Sequence, residues 1–176
     1  RSRARRQYRA SARMARRSAG RLLLYPRGYG PRDRRRDRPD RGSAELRNQE
    51  AEASAKIMGL TIRDNLDLGD GFFEENEQTL IKVIKEIRKY QPRIVLANAV
   101  SDRHPDHGRA AAIVSRACFL SGLPKIVCDH EGMNLPAHRP KTIYNYIQDR
   151  NIGPNLIVDI SDEYEQKMKA IMAFKS

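Results

Sequence analysis

No apolar run in this sequence approaches the roughly 18 residues that a membrane-crossing helix needs, so a helical span is excluded and a soluble, cytoplasmic protein without a membrane partner is expected. Cysteine is scarce. Cys118 and Cys128 both sit in apolar surroundings, Ala-Cys-Phe-Leu and Ile-Val-Cys, which argues against a disulfide framework and for buried free thiols in a reducing compartment. There is no Gly-rich phosphate loop and no internal repeat, which sets aside P-loop and solenoid architectures. Residues 1 to 41 contain no lysine, no glutamate and no histidine, and the first histidine of the chain is His104.

What is abundant is arginine, and at one end only. The net charge of +12 over 176 residues invites a nucleic-acid reading. Yet residues 1 to 41 hold 16 Arg against 3 Asp, a net of +13, while residues 42 to 176 hold 18 Lys plus Arg against 19 Asp plus Glu, a net of −1. The near-neutral body argues against nucleic acid as the partner. The arginine-rich segment shows little periodicity beyond the patch Leu22-Leu23-Leu24-Tyr25, which ends at Pro26. Three readings fit it: a disordered basic arm with steeply salt-dependent phosphate binding, an Arg-rich targeting peptide, or GC-rich DNA translated out of frame, which yields arginine without lysine beside Ala, Gly and Pro. Two parts are therefore expected, residues 1–41 and a domain over 42–176.

Within the second part the patterns alternate between helix and strand. Ser43 is placed to cap a helix running to about Met58 and stopped by Gly59. A short strand and a Gly-punctuated loop occupy 60–73, and Glu74 to Tyr90 reads as an amphipathic helix with Leu80, Ile81, Val83, Ile84 and Ile87 on one face, ending before Pro92. The continuous apolar run Arg93 to Asn98 predicts a strand buried on both faces of a parallel sheet. A helix follows from Asp106 to about Ser121, with Ala111, Val114, Ala117, Cys118 and Leu120 as core candidates. Strands are then expected at Lys125–Cys128, Thr142–Gln148 and Asn155–Ile160, with a polar loop over 129–141 and a last helix capped by Ser161 and running toward Phe174. The alternation of helix and strand implies α/β layering with a mostly parallel sheet, its first strand region expected to be disrupted or disordered.

The chemistry concentrates in Asp102-Arg103-His104-Pro105-Asp106-His107-Gly108-Arg109, straight after the buried strand, where open α/β sheets place their ligands. Two imidazoles three residues apart suit a divalent metal or acid–base work, but a His-x-x-His cannot by itself supply the three protein ligands of a catalytic zinc site. His107, in the first helical turn, is the better ligand candidate. His104 is the better proton donor or oxyanion partner, oriented by Asp106, although Asp102 could instead be the orienting acid.

The run Asn98-Ala99-Val100-Ser101-Asp102-Arg103-His104-Pro105-Asp106-His107-Gly108-Arg109-Ala110-Ala111 resembles the second signature of the zinc-dependent sugar de-N-acetylases of the LmbE/PIG-L family, and within it the bacillithiol biosynthesis deacetylases. The similarity extends to Arg41–Arg47, Arg63–Leu66 with Asp70–Phe73, Cys118–Leu123, and Arg139–Lys141 with Tyr144–Gln148, covering about residues 41 to 176. It implies a Rossmann-like three-layer α/β domain that hydrolyses the acetamide of an N-acetylglucosaminyl conjugate, N-acetylglucosaminyl malate being the expected substrate, with Zn²⁺ as cofactor. It implies that His107 is the zinc ligand from this signature, that His104 and Asp106 are catalytic, and that Arg41, Asp70, Asn98 and Arg103 line the substrate pocket, an arginine suiting a malate carboxylate.

The family's first signature, a strand followed by Ala-His-Pro-Asp-Asp, supplies the other two zinc ligands and the general base. It has no counterpart here: Asp33, Asp37 and Asp40 form no such pattern, and the arginine-rich segment stands in its place. The expectation is a deacetylase by descent with residues 1–41 out of frame and the C-terminus truncated, unable to hold catalytic zinc as it stands. Self-association is left open. The rivals are a basic nucleic-acid-binding protein using an N-terminal arm and a pseudo-enzyme that binds an amino sugar without hydrolysing it.

Overall fold

The computed structural model describes the backbone of residues 22–25 and residues 44–175. The elements in chain order are β1 (Leu22–Tyr25), α1 (Ala44–Ile57), β2 (Ile62–Asn65), α2 (Glu77–Tyr90), β3 (Ile94–Ala97), α3 (Pro105–Leu120), β4 (Asp129–His130), β5 (Met133–Asn134), β6 (Thr142–Asn145), a 3₁₀ turn (Ser161–Glu163) and α4 (Tyr164–Met172). β1 pairs in parallel with β2, Leu22 opposite Ile62, and β3 in parallel with β6, Ile94 opposite Thr142. The α/β class with parallel pairing is as expected. The patch Leu22–Tyr25 forms a four-residue strand paired with β2. The Ser43 cap and Arg41 lie outside the described residues.

α2 begins later than its pattern suggested. Asn76 caps it, its side chain accepting the Thr79 N–H at 2.9 Å, a role the preceding glutamates cannot fill as well. It ends at Gln91, whose left-handed backbone (φ 47°) sends an N–H back to the Ile87 carbonyl. Its face of Leu80, Val83, Ile84 and Ile87 packs on Ala110, Ile113, Ala117 and Cys118 of α3, with Phe73 and Cys128 closing the cluster. Val95 of β3 and Ile143 of β6 lean on the same core. α1 and α4 pair separately, burying Ala51, Ala55 and Ala170.

Three strand expectations are corrected. β3 is covered on one face only: Val95 and Ala97 turn inward, whereas Ile94 and Leu96 stay 45% and 68% exposed. Lys125–Cys128 is turn and irregular chain rather than strand, its Ile126 N–H bonded to the Leu123 carbonyl, and the loop behind it forms the antiparallel pair β4–β5. Residues 155–160 run as irregular chain rather than strand, with Ile157 71% exposed. Ser161 does not cap the last helix: its hydroxyl donates to Asp159 at 2.6 Å.

Candidate active site

Because β3 and β6 run parallel, their carboxyl ends deliver two chain segments to one place, the 98–104 loop and the 146–150 strap. They are laced together. The Tyr146 N–H reaches the Ala97 carbonyl at 3.1 Å, and the Asn145 amide donates to the Asn98 carbonyl at 2.8 Å. α3 starts at this junction, with Pro105 in its first turn and His104 as N-cap, the ring Nδ1 accepting the Asp106 N–H at 3.2 Å. Gly108 lets that first turn sit close under the loop, since a Cβ there would lie 3.2 Å from the Val100 carbonyl oxygen.

His107 hydrogen-bonds through Nδ1 to the Asp102 carboxylate, whose side chain is fully buried. The other Asp102 oxygen accepts the Arg103 N–H at 2.7 Å and the Arg150 N–H at 3.2 Å. The His107 bond, helped by these two N–H groups, holds the Asp102 carboxyl down at about 2 although burial opposes ionisation. An ionised acceptor on Nδ1 puts the ring proton there and leaves the lone pair on Nε2, the tautomer a metal ligand needs. His104 has the opposite polarity: Nδ1 is an acceptor, so Nε2–H is the donor of the neutral ring. The two rings stack with centroids 5.2 Å apart.

Asp106 is buried and meets His104 mainly through its backbone. Its carboxylate stands 3.9 Å from His104 Nδ1, while one oxygen accepts Arg109 Nη1 at 2.7 Å and the other the Gly71 N–H at 2.7 Å. Gly71 adopts φ +84°, a conformation that fits glycine, and this turn brings the exposed Asp70 beside His104. Arg109 also reaches the Gly71 carbonyl at 3.4 Å, and its guanidinium lies 5.4 Å from the Phe73 ring. Arg109 is not among the expected site residues. Its spacing of three from Asp106 on one helix was the available signal.

The remaining expected pocket residues divide. Asn98 is buried with its amide spent on Gln148 Oε1 at 3.2 Å, and Arg103 is exposed, its Nε 3.0 Å from Asp149. Asp70, His104 and Asp106 have ligand atoms within 4.8 Å of one another, close enough for a single cation. A catalytic zinc asks for three protein ligands. Among the described residues His107 belongs to no such group of three, and in the one that forms, Asp106 is already neutralised by Arg109. Among the described residues one zinc-ready nitrogen is present but no closed ligand set around it.

Residues 11–118 match the family model of PIG-L, the GlcNAc-PI de-N-acetylases. The chain belongs to the PIG-L family. The family match starts at residue 11, so it reaches into the arginine-rich segment, ahead of the compositional break at residue 41. This PIG-L chain is 30% identical over 133 residues to a diacetylchitobiose deacetylase from Thermococcus kodakarensis, which covers 74% of the chain and 49% of the relative. It therefore spans about half the length of that curated relative. Among solved structures it is similar to the conserved protein TT1542 from Thermus thermophilus, with a TM-score of 0.73 and 28% identity over 86% of this chain and 64% of that one. It is also similar to the N,N'-diacetylchitobiose deacetylase from Pyrococcus horikoshii, with a TM-score of 0.62 and 28% identity over 74% of this chain and 49% of that one.

Proposed function

We propose that this PIG-L chain belongs to a metal-dependent amide hydrolase that removes the N-acetyl group of an N-acetylglucosaminyl conjugate, with zinc as the metal and N-acetylglucosaminyl malate as the substrate. Family membership and a relative named for deacetylating a chitobiose support the reaction class. The observation that carries the reading is the Asp102–His107 pair at the carboxyl end of β3, a buried carboxylate fixing an imidazole with its lone pair on Nε2. His104 offers Nε2–H as a donor to the oxyanion or leaving amine of an amide under attack, held by its own capping bond. Arg109 and Gly71 keep the Asp106 carboxylate fixed beneath it, and Arg103 supplies a cation for a substrate carboxylate once Asp149 yields it. The sequence contains no Ala-His-Pro-Asp-Asp, and without the general base of that signature the chain as it stands is proposed not to turn over.

The test pairs zinc analysis of the purified chain with release of acetate and free amine from N-acetylglucosaminyl malate. The expected outcome is less than one zinc per chain and no acetate; stoichiometric zinc with turnover would overturn the inactivity. Reading the nucleotides of codons 1 to 45 in all three frames should reveal Ala-His-Pro-Asp-Asp in a shifted frame. A chain corrected to that frame should release acetate from N-acetylglucosaminyl malate faster than from diacetylchitobiose, and the reverse preference would sink the malate assignment.

A further inference from the structure

Gln148 lies on the exposed strap after β6, where its carboxamide bridges the end of β3 and the His107 ring. Its Oε1 accepts two hydrogen bonds, from Asn98 Nδ2 at 3.2 Å and from the Ala99 N–H at 3.1 Å. The backbone donor fixes which end of the amide is oxygen, because an N–H cannot point at an NH₂ group. Gln148 Nε2 is thereby aimed at His107 Nε2, 3.2 Å away. His107 gives its other nitrogen to Asp102, a carboxylate that also accepts the N–H groups of Arg103 and Arg150, so the nitrogen facing Gln148 carries the lone pair. All the polarities run one way: the end of β3 donates to Gln148, Gln148 to His107, and His107 to Asp102.

We infer that Gln148 is a positioning residue for His107: its carboxamide N–H fills the ring lone pair and holds the imidazole against Asp102 in the one tautomer that can act as a ligand or base through Nε2. The strap grips both members of the pair, Gln148 on the imidazole and, two residues later, the Arg150 N–H on the carboxylate, while Asp149 ties the same strap to Arg103. Asn98 receives a role in the same chain of bonds: it anchors Gln148 instead of reaching a substrate directly. Anything that binds His107 Nε2 takes the place of the carboxamide, so occupancy of the ring is coupled to the position of the strap. This inference rests on the proposed function in taking His107 as the working ring, but it is read without turnover and can fail separately from it.

The experiment is long-range ¹H–¹⁵N correlation of the imidazole nitrogens in the uniformly labelled full chain, wild type against Gln148→Leu, Gln148→Met and Asn98→Ala. In the wild type His107 should carry its proton on Nδ1, the minority tautomer of free histidine, with Nε2 shifted upfield as a hydrogen-bond acceptor. Gln148→Leu and Gln148→Met should move the Nε2 resonance downfield to the position of an unbonded lone-pair nitrogen. Asn98→Ala, which removes one of the two anchors on Oε1, should produce a smaller shift in the same direction. Gln148 is exposed, so these variants should fold, and unchanged backbone amide spectra away from the strap serve as the control. A wild-type His107 protonated on Nε2, or an Nε2 resonance that stays in place in both Gln148 variants, would overturn the inference. Acetate release remains a separate readout, so its absence bears on the proposed function alone.

Discussion

Three ionisable side chains away from solvent meet burial in different ways. Asp102 stays charged because three hydrogen-bond donors converge on it. Cys118 stays neutral: with no cation beside it, burial pushes its thiol up to about 11. A folded value above that of the free thiol means that the neutral form is favoured in the native state, so its contribution is present below about 8.5 and fades as pH rises through about 11. Iodoacetamide at pH 8 should therefore leave Cys118 unlabelled in the native chain and modify it fully in urea; labelling at equal rates in the two states would contradict its burial. Glu86 is left exposed to the cost. Its buried Oε2 has no hydrogen-bond partner, Lys89 stands 4.0 Å off, and burial raises the carboxyl above its usual value against that lysine. The charged form is the one folding disfavours, so stability from this group is complete below the ordinary glutamate value and is lost as pH rises past the raised one. Glu86→Gln should raise the melting temperature at pH 7, with the gain shrinking as pH falls through the acid range, and a lower melting temperature at pH 7 would show that the lysine outweighs desolvation.

At the scale of elements, the end of α2 fixes the connection that follows α3. Arg88 is 1% exposed and has no carboxylate partner among the described residues; its guanidinium donates instead to the carbonyls of Ser121 at 3.0 Å, Ile126 at 2.7 Å, Leu123 at 2.8 Å and Leu135 at 3.3 Å. These bonds explain why Lys125–Cys128, apolar enough to be read as a strand, is not one: the carbonyls of Leu123 and Ile126 face an arginine 35 to 38 residues away in sequence. Composition alone could not show this, since Arg88 reads as an ordinary basic residue near a helix C-terminus. Helical periodicity was the legible part. The face of α2 follows from its repeat of Leu, Val and Ile, and that of α3 from the spacing of Ala110, Ile113, Ala117 and Cys118. Arg88→Met should cost at least about 3 kcal/mol by leaving several buried carbonyls without donors. Arg88→Lys, with a point charge in place of the planar fork, should recover only part of the loss. Urea midpoints with unchanged slopes would measure this, and a cost under about 1 kcal/mol for Arg88→Met would mean that water can serve those carbonyls.

At the scale of the whole molecule, the histidine loop was legible because its residues are adjacent, whereas its partners Gln148, Arg150 and Gly71 come from distant segments that only parallel pairing brings together. The first strand was obscured for a different reason: four apolar residues are surrounded by arginine, and the charge hid the strand. That charge has its own consequence. A net of +13 over residues 1 to 41 beside −1 over the rest gives a molecule whose attraction for polyanions comes from one end. Removing residues 1 to 20 takes away eight arginines and no acid, bringing the net charge from +12 to +4 while leaving the β1 residues in place. The full chain should bind duplex DNA without sequence preference, with affinity falling steeply as salt rises, because each neutralised phosphate adds about 0.9 to the log–log slope. The shortened chain should lose most of both the affinity and the slope while keeping its melting temperature. If the rival reading of a nucleic-acid-binding protein held, binding should instead discriminate between sequences or structures at physiological salt, since phosphate contacts alone carry no sequence information. Competition between specific and random duplexes at 0.15 M salt, roughly the physiological ionic strength, separates the two outcomes, and undiminished binding by the shortened chain would place the polyanion surface on the α/β body instead.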